Sequence, residues 1–223
     1  MDKVKKFVRT CRNYDHHNFT GTIIGVNNNV TAHLNCDNCW DKNDYKCYLK
    51  KEESNFEMDI FTGYKYQCVE YARRWLIVNK KCLFGDIGCA YEIFDKINYA
   101  ECLKTGLKKV MSSFANKNES PPMFGDLIIF PIRFMQKYGH VGIITDVNID
   151  LGYVEISEQN FINYWEEPNS YSRRVILIKH QNLYTITEKR WKKSILEDLK
   201  SISVIEELIK REKSKIIGWK RIS

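Results

Sequence analysis

Residues 63–75 constrain the fold most strongly, because turn residues there run directly into a helical pattern. Val69, Ala72 and Leu76 fall at i, i+3 and i+7, which is the period of an amphipathic helix. Cys68 stands where the turn meets this pattern. The spacing therefore predicts a helix that carries a cysteine in its first turn.

The position of Cys68 favours a reactive thiol. Unpaired backbone N–H groups and the positive end of the helix dipole stabilise a thiolate in a first turn. Glu70 precedes Arg73 and Arg74 by three and four residues, which predicts ion pairs on the exposed side of the helix. The alternative for Cys68 is a buried structural cysteine, so a nucleophile needs a base and an orienting group from elsewhere in the chain.

A predicted hairpin supplies both groups. Residues 138–147 and 153–160 alternate as two strands, and turn residues separate them. With the turn centred on Ile149, His140 falls opposite Glu158, where side chains lie roughly 5 Å apart. The carboxylate then accepts from one imidazole nitrogen and leaves the other for a thiol. The alternative is a cross-strand surface ion pair, and a register error of one residue would separate the two groups.

Four blocks of sequence carry a family resemblance. They are residues 66–75, 125–130, 139–145 and 157–160. Together they resemble the cysteine, histidine-dependent amidohydrolase/peptidase (CHAP) family, and within it the amidase domain of glutathionylspermidine synthetase and trypanothione synthetase. Shorter matches near the start, in the middle at residues 88–94 and near the end extend the resemblance over nearly the whole chain.

The resemblance implies a papain-like α+β fold, in which an antiparallel sheet packs against the nucleophile helix. It also implies a Cys–His–Glu triad that hydrolyses an amide. By block match, the triad falls on Cys68, His140 and Glu158, the residues that the helix and the hairpin had already selected.

Three further residues are candidates for binding. The backbone N–H of Cys68 is a natural oxyanion donor, and Gln67 is a candidate for the second. Arg73 matches an arginine that relatives place near the substrate carboxylate, although an ion pair with Glu70 explains it equally well. Asn160 is predicted one pleat beyond Glu158, where it would hold the imidazole or the substrate.

Composition predicts a single domain over residues 1–223, with 43% hydrophobic residues to form its core. No apolar run approaches the ~20 residues of a membrane span, and the first residues lack the apolar segment of a secretory signal. The eight cysteines are scattered, which favours reduced thiols. We therefore expect a cytoplasmic protein without a cofactor.

The basic charge lies at the two ends of the chain. Residues 1–12 carry five basic side chains against one acidic, and residues 188–223 carry eleven against six. The remainder has a net charge of −2 within a total of +7. No nucleic-acid motif accompanies the basic ends, so we expect solvated termini and no nucleic-acid partner.

One rival group of residues has the side chains of a zinc site. His33, Cys36, Cys39 and Cys47 lie within fifteen residues and include a Cys-x2-Cys spacing. The second half of this set lacks the paired spacing that zinc motifs show. The family that the chain resembles has small polar residues in this region. We therefore predict no metal and keep this set as the alternative.

Residues 194–213 depart from the family pattern. Two capping-box signatures and an apolar stripe predict one or two amphipathic helices, inserted before the final matching block. We expect them to dock on the domain's own surface, with self-association as the second possibility.

Taken together, the three triad residues predict a thiol amidase that acts through a thioester, and the resemblance implies a glutathione–polyamine conjugate such as glutathionylspermidine as its substrate. Its partner would be a small-molecule or peptide amide. One alternative is a peptidoglycan amidase or endopeptidase of the broader CHAP family, and another is a non-catalytic binding protein on the same fold.

Overall fold

A nine-stranded antiparallel sheet dominates the fold. The computed structural model describes residues 20–35, 46–51, 58–134, 136–166, 168–212 and 214–223. The strands are β1 (Ile23–Asn27), β2 (Val30–His33), β3 (Lys46–Leu49), β4 (Ile60–Tyr64), β5 (Cys82–Phe84), β6 (Tyr99–Cys102), β7 (Lys108–Ala115), β8 (Leu127–Phe130), β9 (His140–Asn148), β10 (Tyr153–Ser157), β11 (Arg173–His180), β12 (Leu183–Arg190) and β13 (Gly218–Ile222). The helices are α1 (Cys68–Lys80), α2 (Ile93–Lys96), α3 (Ile195–Asp198) and α4 (Ile202–Glu212), and a 3-10 turn at Ala90–Glu92 precedes α2.

The order of strands in the sheet is β12-β11-β10-β9-β8-β13-β7-β6-β5. Neighbouring strands along it are antiparallel. Strand β13 lies between β7 and β8, so the end of the chain completes the middle of the sheet. Two short hairpins, β1–β2 and β3–β4, lie outside this sheet. The predicted α+β class is confirmed.

Strand β8 shows how the sheet is buried on both faces, because all four of its side chains are inaccessible to solvent. Alternate side chains of a strand point to opposite faces. Leu127 and Ile129 belong to the core that contains Trp75 of α1. Ile128 and Phe130 belong to a second core on the other face. Because both of its faces are buried, β8 is held in place between two cores. Strand β9, which carries His140, pairs directly with β8.

Helix α1 is buried on more sides than its amphipathic pattern predicts. Glu70 was expected on an exposed face, but its side chain is only 1% exposed. It accepts from the hydroxyl of Thr62 and pairs with Arg74 at 2.7 Å, whereas the predicted pairing with Arg73 is replaced by one between Arg73 and Asp86. Strands β2 and β4 lie beside the helix, so the face assigned to solvent is covered by protein.

Two short helices form within residues 194–213, as the apolar stripe predicts. Ile205, Leu208 and Ile209 of α4 pack against Ile176 and Ile178 of β11. Most of the apolar face that was considered for self-association thus packs on the protein's own sheet, whereas Ile202 at the start of α4 is exposed. In the part of the chain that the structure describes, no helix is long and apolar enough to cross a membrane.

Candidate active site

Cys68 is the first residue of α1, with Gln67 as the N-cap in extended conformation. Its thiol is half-buried at the wall of a cleft of about 680 Å³. The backbone N–H groups of Val69 and Val141 donate to the sulfur. The helix start, as predicted, therefore holds the thiol where an ionised sulfur is stabilised.

His140 and Glu158 contact each other, although through a different register from the one expected. The turn spans residues 149–152, and the Oδ1 of Asn148 accepts from the N–H of Leu151 to close it. Val154 therefore faces Val147 instead of the predicted Ile144. A bulge after Glu155 then changes the register by one residue. The predicted direct pairing was wrong because the turn is centred between Asp150 and Leu151 instead of on Ile149, and the bulge does not restore the predicted register.

Contact is restored because Gly142 has no side chain. A Cβ at this position would lie 2.7 Å from Ile156 and 3.3 Å from the Cβ of Glu158. The open space lets Glu158 reach diagonally along the strand pair. Its Oε2 lies 3.0 Å from Nε2 of His140. Because Nε2 is occupied, Nδ1 of His140 is the nitrogen left for the hydrogen bond with Cys68.

Glu158 is held by groups that the sequence analysis missed. Arg173 at the start of β11 donates from Nε to Oε1 at 2.7 Å and from a terminal nitrogen to Oε2 at 3.1 Å. The hydroxyl of Ser172 donates to Oε1 at 2.9 Å. Both carboxylate oxygens are thereby satisfied inside the protein, as a buried charge requires. The available signal was the alternation of the strand, which places Arg173 on the same face as the apolar Val175 and Leu177.

The ring of Phe161, also missed, covers this pair. The centroid of the Phe161 ring lies 4.8 Å from the centroid of the His140 ring. The guanidinium of Arg173 lies 4.0 Å from the same Phe161 centroid. The imidazole is thus confined by an aromatic ring as well as by its hydrogen bonds. His140 and Glu158 are 2% and 1% exposed, so water is largely excluded from their contact.

The electrostatics of the three groups favour an ion pair. Burial opposes ionisation of Cys68, but the charge of His140 and their hydrogen bond outweigh it and lower the pKa of the thiol. Burial likewise opposes the charged form of His140, yet Cys68 and Glu158 raise its pKa to about 9. Burial alone would raise the pKa of Glu158, but Arg173 and His140 bring it down to about 2. All three shifts therefore favour the form of the site with a thiolate, an imidazolium and a carboxylate.

The other three predicted residues have different surroundings. The Nδ2 of Asn160 donates to Oε1 of Gln67 at 2.9 Å, and both side chains line the cleft. Asn160 has a φ of +60° and lies beyond the end of β10, so the extended pleat assumed for it is not formed. Arg73 is 4% exposed, is not part of the cleft wall, and donates to Asp86 and to the carbonyl of Phe61.

The alternative zinc set is only partly within the described residues, since Cys36 and Cys39 lie outside them. Nδ1 of His33 lies 2.9 Å from the carbonyl oxygen of Gly21, and Nε2 lies 2.9 Å from the hydroxyl of Thr31. Either nitrogen would lose a hydrogen bond on binding a metal. Across the ranges described above, no three His, Cys, Asp or Glu side chains are grouped to hold a metal ion.

The lowered pKa of Cys68 predicts fast alkylation in mild acid. At pH 6, iodoacetamide should modify Cys68 at least about tenfold faster than Cys89, since the thiolate is the reactive form. Peptide mass spectrometry over a time course measures both rates in one sample. In His140→Asn the main cause of the lowered pKa is removed, and the rate at Cys68 should fall toward that of an ordinary thiol. Equal rates for the two cysteines in the unmodified protein would contradict the ion pair.

Residues 59–160 match the family model for the CHAP domain. The chain is 36% identical over 137 residues to trypanothione synthetase from Crithidia fasciculata, covering 61% of this chain and 20% of the relative. It is 32% identical over 132 residues to the bifunctional glutathionylspermidine synthetase/amidase of Escherichia coli (strain K12), covering 58% of this chain and 21% of the relative. The chain thus spans about a fifth of the length of these curated relatives.

A solved structure, that of Ly7917, covers 70% of this chain and 53% of its own, at 14% identity and a TM-score of 0.33. That likeness is too distant to support any assignment. The match of residues 59–160 to the CHAP domain, together with the amidase named among the relatives, supports a cysteine-dependent amidase or peptidase.

Proposed function

We propose that this CHAP domain hydrolyses the amide bond of a glutathione–polyamine conjugate, with Cys68 as nucleophile, His140 as acid and base, and Glu158 as the orienting carboxylate. The observation that carries the proposal is the continuous contact from the Cys68 thiol through His140 to Glu158 at the wall of one cleft. A nucleophile, a base and a group that fixes the base are the parts that covalent amide hydrolysis requires.

In the first half of the reaction, the Cys68 thiolate attacks the amide carbonyl carbon. The developing oxyanion accepts from the backbone N–H of Cys68 at the start of α1. Gln67 is the proposed second donor. Its Oε1 accepts from Asn160, so the Nε2 group of the Gln67 side chain lies on the side away from Asn160 and is the group that donates to the oxyanion. The His140 imidazolium then protonates the leaving amine, and a thioester to Cys68 remains.

In the second half, water enters the place left by the amine. His140, now neutral, removes a proton from that water as it attacks the thioester carbonyl. Collapse of the second tetrahedral intermediate breaks the carbon–sulfur bond and returns Cys68 to the thiolate, with the proton on His140. Glu158 stays ionised throughout, since Arg173 and His140 hold its pKa at about 2.

The cleft offers charges of both signs to a substrate. Asp86 presents a carboxylate that is 51% exposed, and Lys137 presents an ammonium group above the ring of Tyr138. A glutathione–polyamine conjugate carries the α-carboxylate and α-ammonium of its γ-glutamyl residue on one side of the glycyl amide and the polyamine ammonium groups on the other. These opposite charges, together with the amidase named among the relatives, support this substrate class.

Incubation with millimolar glutathionylspermidine should release spermidine and glutathione in equal amounts, because the glycyl amide is the bond placed against Cys68. Mass spectrometry of the products measures both. A parallel panel contains other glycyl and γ-glutamyl amides and muropeptides, with Cys68→Ala as the matched control for contaminating hydrolases. Cleavage of muropeptides alone would replace the substrate proposal with the peptidoglycan alternative. Absence of any cleavage by a protein with a reactive Cys68 would refute the substrate class.

A further inference from the structure

A second pair of cysteines lies outside the cleft. Cys82 of β5 and Cys102 of β6 are directly opposite each other in the antiparallel ladder. The N–H of Leu103 donates to the carbonyl of Lys81 at 2.9 Å, whereas the N–H of Cys102 donates away from β5, to Leu107 at 2.8 Å. Cys82 and Cys102 therefore occupy a non-hydrogen-bonded position, where the side chains of the two strands approach most closely.

The backbone spacing at such a position suits a disulfide. Directly opposite Cα atoms lie roughly 4.5 Å apart in a non-hydrogen-bonded pair, within the roughly 4.4–6.8 Å that disulfides span. Directly opposite side chains project to the same face of the sheet, and Cys102 packs against the core cluster that contains Cys82. Both cysteines are present as free thiols. The register thus places the two cysteines where a disulfide between neighbouring strands can form.

The two thiols differ in the way that ordered disulfide exchange requires. Cys102 is half-exposed, and the hydroxyl of Thr105 and nearby backbone N–H groups stabilise its ionised form, which lowers its pKa. Cys82 is fully buried, its thiol lies 3.2 Å from the carbonyl of Lys80, and burial raises its pKa. Cys102 is thus the thiol that a soluble reagent meets, and Cys82 is the partner behind it.

We propose that Cys82 and Cys102 form a reversible disulfide by exchange with a low-molecular-weight disulfide of the glutathione disulfide class. The Cys102 thiolate attacks one sulfur of the oxidant, which forms a mixed disulfide and expels one glutathione thiolate. That thiolate takes the proton of Cys82, and the Cys82 sulfur attacks Cys102 and expels the second glutathione. Two protein thiols are oxidised to one disulfide, and the oxidant is reduced to two thiols.

The bond would strengthen the fold without touching the cleft. Cys68 and Cys82 lie at opposite ends of α1, whose thirteen residues span roughly 20 Å. The disulfide would close a loop of about 20 residues that contains α2 and the 3-10 turn. Closing such a loop restricts the unfolded chain, so we expect the melting temperature to rise by about 5 °C or more.

The test incubates the purified full-length chain at a series of ratios of glutathione disulfide to glutathione, followed by blocking of free thiols and peptide mass spectrometry. We expect a linked peptide containing Cys82 and Cys102 at oxidising ratios, its loss on return to excess glutathione, and the rise in melting temperature only while the link is present. Glutathione attached to Cys102 without a link to Cys82, or no modification of either residue, would overturn the proposal.

Two variants separate the steps. Cys82→Ala should stop at glutathione on Cys102, because the partner thiol is missing, and Cys102→Ser should leave Cys82 unmodified, because it is buried. Cys89→Ser is the matched control and should form the link as the unmodified protein does. All three should keep the far-UV circular dichroism of the parent chain. A link that forms equally well from Cys82 to another cysteine in Cys102→Ser would also contradict the specific pairing.

Discussion

Cys68→Ala is expected to reduce amide hydrolysis by more than about 10⁴-fold, to the limit of detection, because no other group replaces the attacking sulfur. The fold should remain, since Cys68 is only half-buried and alanine is the most favourable residue for a helix. Steady-state kinetics with the best substrate of the panel and thermal melting measure the two outcomes. Cys89→Ala, which changes a thiol outside the triad, should retain both activity and stability.

A second measurement distinguishes loss of the nucleophile from general damage. In the unmodified protein Cys68 contributes to the raised pKa of His140, which is about 9, while burial acts in the opposite direction. Removing the sulfur should therefore lower the pKa of His140, as followed by NMR of its ring protons. Hydrolysis that survives in Cys68→Ala would rule out the cysteine mechanism, and an unchanged titration of His140 would show that the two side chains are not coupled.

The elements around Cys68 could be predicted because each depends on local sequence. A turn followed by a helical apolar period predicts the start of α1, and the structure begins that helix at Cys68. The fully apolar run in residues 127–130 predicts a buried strand, which is β8. In both cases the pattern is complete within one segment, so no long-range contact had to be known.

Register and burial could not be predicted in the same way. The hairpin register depends on how the Asn148 side chain closes the turn, and on a bulge after Glu155 that has no clear sequence signal. The contact between His140 and Glu158 nevertheless forms, because Gly142 leaves a gap on the same face of the sheet. Glu70 was assigned to solvent because the helix period does not reveal which neighbours cover its second face.

The role of Arg173 beside Glu158 could not be predicted from the sequence. Arg173 is far from the other site residues along the chain and reaches Glu158 only because β11 pairs with β10, with Arg173 opposite Ile156. The same guanidinium lies 4.0 Å from Glu188, which in turn pairs with Arg133 at 2.7 Å. The residues that follow Arg133 line the cleft. Charged side chains that are distant in the sequence thus connect the carboxylate of Glu158 to the wall of the cleft.

The surroundings of Glu158 make it sensitive to a change as small as Glu158→Gln. The amide keeps the shape of the carboxylate but has one acceptor oxygen, so its NH₂ group must face either Arg173 or His140. In place of Oε1, the NH₂ group meets the Nε–H of Arg173 and the hydroxyl of Ser172, and in either orientation the guanidinium loses the charge of Glu158. Facing His140, it donates to Nε2 and thus favours the tautomer with the proton on Nδ1, which cannot accept a proton from Cys68.

We therefore expect Glu158→Gln to lower kcat by about 10²-fold or more and to destabilise the fold by about 3 kcal/mol, as breaking one partner of a buried ion pair does. The pH dependence has a defined sign. A carboxylate with a pKa of about 2 in the fold and 4.5 as its ordinary value stabilises the protein above pH 4.5 and loses this contribution as the pH falls toward 2. The difference in stability between parent and variant should accordingly shrink over that interval, as measured by urea unfolding at several pH values.

The neighbouring pair of Glu155 and Arg174 provides the matched control, because it joins the same two strands but is partly exposed. Glu155→Gln should change kcat by less than about twofold and stability by less than about 1 kcal/mol. A Glu158→Gln variant that loses stability but keeps its kcat would assign Glu158 a purely structural role. A variant that keeps both would mean that the contact with His140 has no energetic weight, and the base of the reaction would then need another orienting group.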